Sequence, residues 1–144
     1  MDIIRSIHSY WSYLVLIVLV LAVANAIIGL SSKKEFGNKD LRLGLFTLIF
    51  SHIQLLLGLA LYFASGYASR INGTTMGDGD LRFVIIEHPI TMILAIVLIT
   101  IGWSKHKKKE DSNAKFKTFA IFYGIALILV LVRIPWYIWP SFLQ

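Results

Sequence analysis

Four histidines are the residues of this chain with the widest chemical repertoire, and they sit among long apolar runs: His8, His52, His88 and His106. An imidazole inside an apolar helix ligates a metal, moves a proton or hydrogen-bonds a neighbour, because an ionisable group is costly there without such work. Cysteine is absent, which excludes disulfides, thiolate metal sites, cysteine-held iron–sulfur clusters, cysteine nucleophiles and covalent attachment of a c-type haem. No phosphate-cradling glycine loop followed by Lys-Ser/Thr, no His-Glu-x-x-His and no nucleophile elbow occurs. Hydrolytic and nucleotide chemistry are therefore not expected.

The elements that position these histidines follow from hydropathy. Hydrophobic residues make up 57% of the 144, charged residues only 15%, and mean hydropathy is +0.72. Soluble domains carry roughly 25% charge, so a bilayer is the expected solvent. Four apolar segments, at about 9–30, 43–65, 83–103 and 117–138, are each long enough to cross about 30 Å of hydrocarbon. They consume nearly the whole chain, which predicts a single integral membrane domain over 1–144, an all-α up-down bundle of four transmembrane helices. Residues 23–26 carry a faint signal-peptidase pattern, but the apolar run continues past it and reads as an uncleaved span.

Orientation is read from lysine and arginine. The 31–42 loop holds Lys33, Lys34, Lys39 and Arg42, and the 104–117 loop holds Lys105, Lys107, Lys108, Lys109, Lys115 and Lys117. These are 10 of the 14 basic residues, so the two loops are expected in the cytoplasm and both termini on the non-cytoplasmic side. Trp11, Trp136, Tyr137 and Trp139 would form an aromatic belt at the outer end, and Trp103 would mark the inner boundary. The net charge of +6 and pI of 9.7 then answer to anionic lipid rather than nucleic acid. Residues 69–80, rich in Gly, Asn and Asp, read as an external turn; Asn72-Gly-Thr within them matches a glycosylation sequon of little weight.

Small and weakly polar residues at helical spacing predict the faces that meet in lipid. Gly44, Thr47, Ser51, Gln54, Gly58, Tyr62 and Ser65 fall within about 80° of one another on helix two. His8, Ser12, Ala22, Ala26 and Gly29 share a stripe on helix one, and His88, Thr91, Ala95, Gly102 and His106 share one on helix three. His8 and His88 thus project inward at matching depth from helices expected to be diagonal, a gap suited to a haem whose iron takes two axial imidazoles. Met92, on nearly the same face as His88, reads as packing or as an alternative ligand. Arg133 pairs either with a haem propionate or with Glu87, two readings of equal standing. His52 lies at mid-membrane, about 120° from the helix-two stripe and roughly 10 Å or more below such a haem. Hydrogen bonding to a neighbouring helix is its first reading, a second haem or proton handling beside a quinone its others. His106, within Ser-Lys-His-Lys-Lys-Lys, is expected to be interfacial and solvated.

His8-Ser-Tyr-Trp11, Phe50-Ser-His52-Ile-Gln54-Leu-Leu-Leu-Gly58 and Glu87-His88-Pro89 together resemble a family of small bacterial four-helix membrane proteins labelled cytochrome b. The resemblance runs over almost all of the chain and implies a bound haem b and electron transfer in the inner membrane. A fainter similarity, carried by the Gln54–Gly58 spacing, is to the four-helix halves of haem A synthase-like proteins. Histidines here stand on helices one, two and three and none on helix four, so a ligand pair from helices two and four does not transfer.

Two functions from different classes compete on this evidence. The first is a b-type haem protein that passes electrons between quinol and a respiratory partner, a carrier or subunit rather than a stand-alone enzyme. The second is a cofactor-free accessory subunit of a larger membrane complex. Transport through His52, Gln54 and Tyr62 is a third reading, which the lack of an inverted repeat disfavours.

Overall fold

The computed structural model describes residues 2–139. Four helices are long and apolar enough to cross a membrane: α1 (Asp2–Ser31), α2 (Asn38–Ala64), α3 (Gly79–His106) and α4 (Ser112–Arg133). Each starts before the apolar run alone, and polar caps account for this in α2, α3 and α4. Gly37 donates its N–H to Asp40 Oδ2 at 2.9 Å, which starts α2 five residues before Leu43. Asp111 accepts from the Ala114 N–H at 3.2 Å and starts α4 at Ser112 rather than near Lys117. The chain leaves α4 after Arg133, short of the expected Ile138, because Ile134 precedes Pro135 and takes an extended conformation with ψ of 131°.

α3 is not uniform. Residues Phe83–Glu87 form a π-helical turn, in which the His88 N–H reaches back five residues to the Phe83 carbonyl. Pro89 supplies the reason: it has no N–H to give to Ile85, and its ring crowds that carbonyl. The helix re-registers just where Glu87 and His88 leave it.

Consecutive helices run antiparallel and pack side by side, α1 on α2, α2 on α3, α3 on α4 and α4 back on α1, so α1 and α3 are diagonal as expected. Asp40 ties the first loop together, accepting from Asn25 Nδ2 at 2.7 Å and from Lys34 Nζ at 2.8 Å. The 69–80 connection folds into a short helix at Gly73–Gly77, whose first turn is capped by the Asn72 side chain on the Thr75 N–H at 3.1 Å. The sequon asparagine is thus a helix cap.

The bundle has two unlike halves. Around the basic loops the small residues Ala22, Ala26, Gly29, Gly44, Ala95 and Gly102 let the helices close on Phe116, Phe119 and Tyr123, all buried. Tyr123 is fully buried and donates to the Gly44 carbonyl at 2.9 Å, joining α4 to α2 through the middle of the bundle. His106 belongs to this half and corrects its expectation: it is 2% exposed, stacked on Phe119 with ring centres 4.5 Å apart, and its Nδ1–H donates to the Trp103 carbonyl. Phe36, from the first loop, folds over it at 5.8 Å and shuts out the solvent that the neighbouring lysines suggested. The other half, at the end where α1 begins and α4 stops, is hollow.

Candidate functional site

His8 leaves α1 toward α2. Its ring rests on Gly58, where a Cβ would stand 3.1 Å from His8 Cε1, tight enough that the imidazole would have to give by a few tenths of an ångström. Gln54, one turn away on α2, donates from Nε2 to the His8 carbonyl at 3.0 Å and holds the two helices in register. His88 leaves α3 just past the π turn, and its Nδ1 lies 2.7 Å from the Arg133 carbonyl. A carbonyl only accepts, so Nδ1 carries the proton and Nε2 is left with a free lone pair. The Arg133 carbonyl is open to this bond because Pro135 stops α4 before another amide reaches it.

Both histidines line one cavity of about 860 Å³ that reaches from Arg5, Tyr67 and Ile71 at the terminal end down to Leu19, Ser51 and Ile99. Its volume lies within the range of roughly 300–1,000 Å³ usual for ligand sites. Walls from all four helix regions are mainly aliphatic, with Met92 among them. Trp139 closes one side: it is 9% exposed, stacked on Tyr13 at 4.4 Å, and part of this lining rather than of a lipid-facing belt. Of the expected belt, Trp136 and Tyr137 are exposed, while Trp11 is part-buried against Phe50 and donates to its carbonyl at 3.0 Å.

Among the described residues, three buried side-chain atoms have no hydrogen-bond partner: His8 Nδ1, Ser51 Oγ and Gln54 Oε1. All three belong to residues that line this cavity. A buried polar atom left unpaired costs about 1–3 kcal/mol, so their coincidence on one hollow marks a place where a polar partner is expected.

The remaining candidates are placed elsewhere. Arg133 does not line the cavity; its Nε lies 3.6 Å from Glu87 Oε2, and Arg82 Nε holds the other oxygen of Glu87 at 2.9 Å. The salt bridge read for Arg133 is present. His52 faces away from the hollow. Its Nδ1–H donates to Leu48 O at 2.7 Å, and Nε2 is 3.4 Å from the Thr100 hydroxyl on α3, the neighbouring-helix contact expected of it. That approach is a contact and not a hydrogen bond, since the His52 proton goes to Leu48 O and the one proton of Thr100 goes to Ile96 O at 2.8 Å. Among the described residues no cluster of three or more His, Asp or Glu side chains gathers to hold a bare metal ion.

Sequence reasoning passed over Arg5 and Trp139 as site residues. Arg5 was legible in principle, being three residues before His8 and so on the same face of α1. Trp139 follows the helix-ending proline, where periodicity gives no direction. Comparison with family models, curated proteins and solved structures yields no match to this chain.

Proposed function

We propose that this chain is a b-type haem-binding integral membrane protein for electron transfer, with the haem held between α1 and α3 and His8 and His88 as its axial ligands. The observation that supports the reading is that His8 and His88 line one cavity, His88 with its Nε2 lone pair free. A haem iron needs only two protein ligands, because the porphyrin supplies four, so two histidines would suffice.

When bound, haem supplies one-electron redox chemistry. The chain's own residues do the rest. The Arg133 carbonyl fixes the His88 tautomer and makes its free nitrogen more electron-rich. Gly58 leaves the space in which the His8 ring stands. Aliphatic side chains from α1, α2 and α3 keep water out and lower the local dielectric, which sets the ease of reduction. The Arg82–Glu87–Arg133 ion pairs tie the start of α3 to the end of α4 and steady the π turn on which His88 stands. In this reading the helices lie in the bacterial inner membrane with the lysine-rich loops in the cytoplasm and both termini outside, and electrons pass between a quinol and a partner subunit of a respiratory complex.

The test is haem content by pyridine haemochrome in four variants of the full chain, each checked for helicity by circular dichroism. His8→Ala and His88→Ala are expected to lose haem by on the order of 10–100-fold or more in affinity, while His52→Ala and His106→Ala keep it. Equal haem in all four folded variants would defeat the ligand assignment.

A further inference from the structure

We infer that Arg5 recognises a carboxylate edge of the cavity's occupant and thereby fixes which way round it sits. The inference rests on the haem reading above, and the group concerned would be the propionates. Among the described residues, Arg5 is the only formally charged one lining the cavity, and none of those lining it is acidic. Nor does Arg5 take part in any of the ion pairs found among the described residues. Three other arginines stand near this end among the described residues, and each is already engaged; Arg70 lies over the Tyr67 ring, 5.7 Å from its centre, and does not line the cavity. Arg133 pairs with Glu87, and Arg82 pairs with Glu87 and donates to the Met76 carbonyl at 2.8 Å.

Formal charge is graded along the cavity axis. Arg5, with Ser6 and Ser9, is at the terminal end, His8 and His88 follow, and Leu16, Leu19, Ser51 and Ile99 toward the far end carry none. Arg5 and Leu19 are fourteen residues apart on one helix, about 21 Å of rise. A ligand with an anionic edge and an apolar body fits that gradient in one direction only, acid toward Arg5. Guanidinium is suited to the task because its fork of donors meets a carboxylate in two parallel bonds. An anionic lipid reaching into the same hollow would present a similar charge, so the probe must be the porphyrin itself.

The experiment titrates the full-length protein, freed of haem in detergent, with haemin and with haemin dimethyl ester, in which both carboxylates are capped. Wild type, Arg5→Gln and Arg133→Gln are compared by Soret absorbance, with circular dichroism as the folding check. Wild type is expected to prefer haemin over the diester by roughly tenfold or more. In Arg5→Gln that preference collapses through weaker binding of haemin alone, and in Arg133→Gln it persists. Binding of both porphyrins with no preference in wild type, or an undiminished preference in Arg5→Gln, overturns the role of Arg5 and leaves the haem reading standing. A folded wild type that binds neither porphyrin overturns the haem reading itself, and this inference with it.

Discussion

The Nδ1–H of His88 goes to a carbonyl that Pro135 strands at the end of α4, so the protonation of one imidazole is decided by a proline on another helix. His8 depends in the same way on what faces it. The absence of a side chain at Gly58 is what admits its ring, and this predicts that Gly58→Val pushes the imidazole aside and lowers haem occupancy, at a cost of about 1–3 kcal/mol in strain. Gly124→Val, where a Cβ meets nothing within 4 Å, is expected to leave occupancy unchanged. Haem titration of the two variants checks this; equal occupancy would mean that Gly58 does not set the position of His8. The inward projection of His8 and His88 was legible, since helical periodicity gives direction. The burial of His106 was not, because it depends on Phe36 folding in from a loop seventy residues away in sequence.

At the scale of elements, apolar length predicted four spans, but caps and proline set their ends. The signals were in the sequence: Gly37 with Asp40, Asp111 before Ser112, and Pro135 after Ile134. The π turn at Phe83–Glu87 was less legible, because a proline near the start of a span reads first as a helix N-terminus, whereas here helix continues on both sides of it. The small-residue stripes predicted close approach, and Gly102 is where α3 and α4 come nearest to refusing any addition: a Cβ would stand 2.7 Å from Phe122 Cβ. Gly102→Val is therefore expected to destabilise the bundle by about 1–3 kcal/mol, read as a lowered thermal midpoint in detergent. An unchanged midpoint would mean that the α3–α4 contact is looser than this packing requires.

For the whole molecule, the stripes did not foretell that one half of the bundle would be solid and the other hollow. Small residues permit approach, but whether space is filled depends on what stands opposite. Phe116, Phe119 and Tyr123 fill the half near the basic loops, while Ser12, Ser51 and Gly58 of the other half meet no such rings and line the cavity. The fold class was thus readable from composition and run length, and the site only from the four helices assembled. The central claim, that the hollow half holds a haem, is tested most directly by the visible spectrum of the purified, detergent-solubilised protein, oxidised and then reduced with dithionite. The account predicts a Soret band with sharp reduced α and β bands and a pyridine haemochrome stoichiometry of one haem per chain. A featureless spectrum from folded protein, unchanged after haemin is added, would contradict it and favour a cofactor-free subunit of a larger membrane complex.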